Sequence, residues 1–560
     1  MKDVFKKILC ISVSLIIMGS LVACGANTET AEQHGTTAAM GGTGAPAADP
    51  FGKYDPAITL TTVRALTDNI TFLQGEDIDN NNWTKAYMNH LGIKIENIWM
   101  ASSNQFNDKL NVTIASGDIP DFFQVSSTQF KQLVDNDMLA DLKDVYDQYA
   151  APFTKEVMTA AGGYAMKSMQ IDGKQYGLAC DSPCIQTTTQ IWIRSDWLKK
   201  VNLSAPKTMD DVLRIAEAFT TQDPNSNNKN DTYGLAFQKD LFGQWFSLDG
   251  FMNGYHAYPT IWVKDASGKI QNGAIQPEVK TALGKLTEMY RAKQIDPEFG
   301  VKDATKTTED IVAGKVGMYY ACFATPLWPL GDSMKKEPNA DWKAYPIVSA
   351  DAQPALASET FTALSGYVVS KNCKNPEGVI KLLNETLKNL WSPEAQPDIY
   401  NTDENATPFW SYAPIYAEPP MKNLDAGIAV QEAMKSNDPS KLNGEQKQYY
   451  NAAIAYRDNK DLASWPNFAI FGTNGGNSST EVENYYMQNK LLLPDEFFGI
   501  PTDNMVDKKP NMDKLILETY TQIIMGQTPL DSFDKFVDQW RQIGGDTITK
   551  EVNDWAASQK

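Results

Sequence analysis

The segment Asp223-Pro-Asn-Ser-Asn-Asn-Lys-Asn-Asp-Thr-Tyr-Gly234 sets an oxygen donor at every second position: the carboxylate of Asp223, the amides of Asn225 and Asn227, the backbone carbonyl of Lys229 and the carboxylate of Asp231. Donors at positions one, three, five, seven and nine follow the order in which an EF-hand-type loop wraps calcium. Two positions depart from that order. Asn228 stands at position six, where such loops use Gly, although Asn also tolerates a left-handed backbone. Gly234 stands at position twelve, where a bidentate Glu is missing. Two carboxylates predict weak binding, in the roughly 0.1 to 1 mM class. A saturated oxygen cage activates no water, so the role of such an ion is structural. A metal-free, Asx-rich turn is the alternative.

The elements around the loop follow from periodicity. Thr208-x-x-Asp211 is a capping-box-like helix start, and Val212, Ile215, Ala216 and Phe219 fall on one face of the helix that leads into the loop. "TYGLAF" after it alternates as a strand. Upstream, "ITLTTVRAL" is a strand, "NNWTKAYMNHL" a helix stopped by Gly92, and "IKIENIWM" a second strand; a helix over "NDKLNVTIAS" and a third strand, "DFFQVS", complete βαβαβ. That order predicts a mainly parallel sheet covered by helices, with ligands beyond the C-terminal strand ends.

The N-terminus places the chain. Lys2, Lys6 and Lys7 precede an apolar run from Ile8 to Ala23, too short to span a bilayer, which reads as a secretory signal over residues 1–23. Leu21-Val22-Ala23-Cys24 resembles the lipobox of bacterial lipoproteins, which predicts acylation of Cys24 and stable anchoring by several chains. Residues 24–55, rich in Gly, Ala and Thr, read as a disordered tether with a reach of roughly 30 Å. The formal charge over 560 residues is −19; the signal removes three lysines and one aspartate, leaving −21. Such acidity argues against nucleic acid as a partner. The body exceeds one core and requires at least two domains. Cys180 and Cys184 are spaced neither as a zinc knuckle nor as a redox pair; small buried thiols and a bridge between them both remain open.

Six motifs in order, "SGDIPDFFQV", "IDGKQYGL", "IRSDWLKKVNLSAPKTMDDV", "AGKVGMYY", "SGYVVSKNCKNPEGVIKLLN" and the C-terminal "IIMGQTPLDSFDKFVDQWRQIGGDTITKEVNDW", resemble family 1 extracellular solute-binding proteins, in particular the LipO-like lipoprotein branch. The resemblance implies an α/β, two-lobed periplasmic-binding-protein-like fold of type II, closing on a solute, commonly an oligosaccharide, for an ABC importer. It implies a first lobe of 56–180 with about 366–465 and a second of about 181–365 with about 466–560. Crossings are expected near Tyr176–Gln190, Ser365–Val369 and Trp465–Asn474. Related proteins carry a loop like Asp223–Asp231 as a calcium site, often with Glu directly after the last Asp; Thr232 stands there in this chain.

A sugar offers hydroxyls and apolar ring faces, so its receptor needs flat aromatics and planar polar partners. Placement at strand ends and in loops selects Arg64, Gln124, Ser126, Asp181, Trp245, Tyr255 and His256. Trp328 resembles the position of a sugar-stacking Trp in family members. Catalytic motifs are missing: there is no H-E-x-x-H, G-x-S-x-G or Walker loop, and His34 lies in the tether, leaving only His90 and His256. The reading is a non-catalytic, monomeric, lipid-anchored receptor that meets importer permease subunits. The alternatives are a secreted, calcium-stabilised polysaccharide-degrading enzyme, or the same fold binding a peptide or acting in signalling.

Overall fold

The computed structural model describes residues 48–66, 70–180, 185–360, 365–401 and 408–559. The signal segment and Cys24 lie outside them, and among the described residues no helix is long and apolar enough to cross a membrane. The chain opens with β1 (Ile58–Leu66), α1 (Asn82–Ala86, continued by a wider turn to Leu91), β2 (Ile93–Ser102), α2 (Ser103–Ser116), β3 (Phe122–Ser126) and α3 (Ser127–Asp135). Gly92 stops the first helix at φ 65°, and a Cβ there would lie 2.3 Å from the Tyr54 carbonyl. Glycine alone fits so close a backbone approach.

After β4 (Gly177–Ala179) the chain passes to β5 (Gln190–Arg194), α4 (Met209–Thr221), β6 (Met318–Ala321), β7 (Trp342–Tyr345) and β8 (Ala357–Glu359). It returns through β9 (Ser365–Val369) to α5 (Pro376–Trp391). It then forms α6 (Lys422–Ser436), α7 (Gly444–Asn459), α8 (Trp465–Phe471) and α9 (Ser479–Gln488). β10 (Leu492–Pro494), α10 (Asp503–Ile524), α11 (Ser532–Trp540) and α12 (Asp546–Ser558) end it.

Two separate apolar cores define two lobes. One gathers Leu60, Trp83, Tyr87, Phe122, Val369, Leu383 and Leu387. The other gathers Trp192, Trp197, Phe219, Leu283, Tyr319, Trp342, Tyr520 and Trp540. The capping box at Thr208 and Asp211 is present, and Val212, Ile215, Ala216 and Phe219 are buried as the periodicity requires.

The expectation of a mainly parallel sheet needs correction. β1 and β2 pair in parallel, but β9 runs antiparallel to both β3 and β4, with Gly366 opposite Val125 on one side and Ala179 on the other. In the second lobe β5 lies antiparallel between β6 and β7. The cause in the first lobe is the return of the chain. β3 and β4 end on the side where the chain leaves for the second lobe, so a strand coming back enters from that end and must run against them. "TYGLAF" makes only isolated parallel bridges, Tyr233 with Val316, Leu235 with Ile295 and Ala236 with Tyr319.

Two boundaries also move. Residues 48–55, expected in the tether, pack on the first lobe: the Tyr54 hydroxyl donates to Glu377 (2.7 Å) and Lys381 donates to the Gly52 carbonyl (2.7 Å). The third crossing, expected at Trp465–Asn474, comes earlier. Phe409, Tyr412, Ile415 and Ala417 belong to the first core. From α6 onward the chain packs beside the second: Ala426 and Val430 meet Tyr450, Ile470 and Phe471, the Gln431 amide donates to Thr480, and Trp465 and Ala469 enter the second core. Pro466 lies in the first turn of α8, where proline is tolerated, and so does not mark a linker.

A strap after β10 bridges the lobes again. Ile500 packs on a first-lobe cluster with Val63, Phe123 and Val368, Phe498 meets Tyr164 edge-on at 4.7 Å, and Asp503 pairs with Lys131 at 3.0 Å.

Candidate functional site

β4 ends in the first lobe and β5 begins in the second, so the ends of β3 and β4 and the start of β5 face the space between them. On the second-lobe side the loop 238–248 follows the bridged segment 233–236 and is tied to the core. Asp249 accepts from Gly243 N (3.3 Å), the Ser247 hydroxyl (2.6 Å) and the Thr260 hydroxyl (2.8 Å). Burial pushes its carboxyl above the usual range, opposed by those three bonds. The Gln238 amide donates to the Trp245 carbonyl (3.0 Å), and Cys322 N donates to the Gln244 carbonyl (2.8 Å).

This loop presents Trp245, half-buried, to Trp328, half-buried in the turn Pro326–Leu330. Their rings meet edge-to-face, centroids 5.3 Å apart at 72°, and Phe246 meets Trp328 from the other side at 5.7 Å. Such edge-to-face packing holds each ring in a fixed orientation. Of the eight residues selected from sequence, these two come together.

The others separate. The Arg64 guanidinium is buried and donates to the carbonyls of Ser411 (2.9 Å), Tyr412 (2.7 Å) and Ala413 (2.9 Å), holding a first-lobe turn; burial lowers its pKa to about 10. The Gln124 amide is exposed in the middle of β3 and donates to the Ser365 hydroxyl (2.7 Å). Ser126 caps α3 in a box with Gln129. Tyr255 is buried against Phe251, which pushes its hydroxyl up to about 12, and His256 meets Asp351 (3.2 Å) and Ser349 (3.4 Å) near the start of α4, away from the Trp pair. Asp181 and Cys184 lie outside the described residues.

A cavity of about 750 Å³ adjoins the same loop. Ser127 and Thr128 line it from the first lobe, Asp240 and Phe242 from the loop, Trp262, Asp495, Phe497 and Trp540 from the second lobe, and Lys509 and Asp513 from α10. Asp495 accepts from Trp262 N (2.9 Å) and Phe497 N (3.0 Å), and burial pushes its carboxyl up to about 7. Sequence reasoning missed these groups. Asp240 and Phe242 stand five and three residues before Trp245 and were reachable by the same loop argument; Lys509 and Asp513 of α10 read as an ordinary i, i+4 ion pair on an exposed helix face.

The loop 223–231 is closed on itself. Asp223 accepts from Asn227 N (3.2 Å) and Asn228 N (2.9 Å), the Asn225 and Asn227 amides both reach the Asp231 carboxylate (3.3 and 3.0 Å), and Asn228 is left-handed at φ 58°. Among the described residues no group of three or more His, Cys, Asp or Glu could hold a metal. A calcium loop does not need one here. Each amide that meets Asp231 carries an oxygen that a half-turn would bring to the same place, so the donors fit a hard cation.

Residues 76–397 match the family described as bacterial extracellular solute-binding protein, and the chain belongs to it. Lipoprotein LipO of Bacillus subtilis (strain 168) is 23% identical over 513 residues, 85% of this chain and 89% of the relative. The polygalacturonan/rhamnogalacturonan-binding protein YtcQ of the same organism is 29% identical over 215 residues, 38% of this chain and 41% of its own. The fructooligosaccharide ABC transporter substrate-binding protein FusA of Streptococcus pneumoniae is 30% identical over 156 residues, 26% of this chain and 28% of its own. Its structure with kestose aligns over 90% of this chain and 99% of FusA with a TM-score of 0.60 at 16% identity, and an EF-hand mutant of FusA aligns with 0.59. The two-lobed solute-binding fold is therefore that of this chain.

Proposed function

We propose that the chain is a lipid-anchored, non-catalytic receptor that takes an oligosaccharide between its lobes and presents it to the permease subunits of an ABC importer. The observation that carries this is the fixed Trp245–Trp328 pair, in which Trp245 stands on the loop whose Asp240 and Phe242 line a cavity walled by both lobes. Indole faces stack on the apolar faces of sugar rings, while the amides and carboxylates nearby accept and donate to hydroxyls. The names of YtcQ and FusA, both saccharide binders, support the same reading. Closure of the lobes would bring Ser127 and Thr128 down on a solute held by the second lobe. Asp223, Asn225, Asn227, Lys229 and Asp231 would hold a structural calcium ion away from the solute. Cys24 would carry the anchor.

A thermal-shift and titration screen of the mature chain against neutral and acidic oligosaccharides tests the proposal. Stoichiometric binding without bond cleavage is expected, with about 2.7 kcal/mol of stabilisation at 100 times Kd. Turnover of any oligosaccharide would replace the receptor reading with the hydrolase one, since Asp240, Asp495 and Asp513 give the cavity carboxylates. Cys24→Ser is expected to release the protein from membranes in a fractionation experiment.

A further inference from the structure

We infer that the solute is a neutral oligosaccharide and that oligouronates are excluded, an inference that rests on the receptor reading above. A uronate carboxylate entering an enclosed site needs a cation, best a guanidinium that binds it bidentately, because an unpaired charge out of water is costly. Three bases of this part of the molecule are already engaged, and Lys239, beside Asp240, is exposed and is not among the residues lining the cavity. Arg64 is turned to the carbonyls of residues 411–413. Lys131 on α3 lies between Asp135 (2.7 Å) and Asp503 (3.0 Å), where it joins first lobe to strap. Lys509, the one base among the residues lining the cavity, donates to both oxygens of Asp513 (2.8 and 2.6 Å) one helical turn on.

The acids outnumber it. Asp240, Asp495 and Asp513 line the same cavity, and Asp240 has no ion-pair partner among the described residues. With Asp495 left out of account, Asp240 and Asp513 against Lys509 still leave the lining one negative charge in excess. The remaining wall is apolar and aromatic, with Trp262, Phe497 and Trp540, which suits the faces of uncharged rings. The chain's formal charge of −19 adds long-range repulsion of a polyanion. A receptor of this fold that took polyuronates would need to release one of these bases from its partner or supply another. The carboxylates that line the cavity can instead accept from sugar hydroxyls, which donate to them readily.

The test is isothermal titration of the mature chain with matched pairs that differ only in oxidation at C6, such as galactotetraose against tetragalacturonate, alongside neutral fructans, xylans, mannans and glucans of similar length. Binding is expected among the neutral sugars, insensitive to salt, with tetragalacturonate at least about 100-fold weaker than the best of them. Asp240→Lys is expected to narrow that ratio about tenfold by giving the carboxylate a partner. Tetragalacturonate binding within tenfold of the best neutral sugar, or binding that weakens steeply as salt is raised, overturns the inference and leaves the oligosaccharide receptor standing. Failure of every saccharide to bind overturns both.

Discussion

The loops 223–231 and 238–248 lie at opposite ends of one short segment, residues 233–236, yet they are held in opposite ways. The second is bound to the core of its lobe through Asp249, which also accepts from Thr260, and through the backbone of Tyr320 and Cys322. The first is bound chiefly to itself, with Gly314 and Lys200 as its outside partners. A loop fixed by buried groups transmits any damage to the aromatic pair it carries. A loop fixed by its own amides and carboxylates keeps damage local.

The comparison is broken most directly at the aromatic pair. Trp245→Ala together with Trp328→Ala is expected to weaken oligosaccharide binding by about 3–4 kcal/mol, several hundred-fold, because both stacking faces are lost. The melting temperature should fall by only a few degrees, since both rings are half-buried. Titration of the double variant with a sugar that binds the wild-type chain checks this; an unchanged Kd would mean that the pair is packing alone.

Next comes the group beneath that pair. Asp249→Ala leaves Gly243 N and the Ser247 and Thr260 hydroxyls without their acceptor, at a cost of about 3 kcal/mol. Stability and solute affinity should fall together, because Trp245 is four residues away on the loop that Asp249 anchors. Asp249→Asn, which keeps an acceptor oxygen, should recover most of both. If Asp249→Ala lowers the melting point and spares affinity, the loop is not the link between core and site.

This also explains what could be read from the sequence. The chain order of strands and helices, the capping box at Thr208 and the aromatic loop were legible because they rest on local periodicity and on residue types with few alternative uses. Arg64 was misleading for a physical reason. A guanidinium at a strand end suits a solute or a backbone turn equally, and only the placement of residues 411–413, far along the chain, decides between them. The direction of β9 and the early third crossing depend on where distant segments return, which no local pattern encodes. The cavity residues of α10 were hidden because apolar and charged side chains there have ordinary helical spacing.

A smaller effect sharpens the account of the core behind the aromatic loop. Glu483 on α9 is buried, neither of its oxygens has a hydrogen-bond partner among the described residues, and burial pushes its carboxyl up to about 8. Burial pushes Glu359 and Asp495 up to about 7. Between pH 4.5 and 8 these three groups keep protons in the folded chain that they give up in the unfolded one, so their contribution to stability is fully present below the ordinary carboxylate range and is lost as pH rises. Calorimetry should show a melting temperature lower at pH 8 than at pH 5, by several degrees. Glu483→Gln should flatten the part of that slope near neutral pH. A melting temperature that rises over this interval would contradict it.

The smallest effect is expected at the self-contained loop. Calcium at about ten times Kd stabilises by only ~1.4 kcal/mol, and for a weak site with two carboxylates that requires millimolar ion. Asp223→Ala removes one carboxylate together with the acceptor for Asn227 N and Asn228 N, so some stability is lost even without the ion. What isolates the metal is the difference: calcium should raise the melting temperature of the wild-type chain by a few degrees, EDTA should reverse it, and the variant should show neither response. Solute affinity, measured well below either melting point, should stay the same, because Ala236 bridges Tyr319 between the two loops and holds the segment that separates them. A calcium response that persists in Asp223→Ala would place the ion elsewhere, and a solute Kd that follows calcium would mean that the two loops are coupled after all.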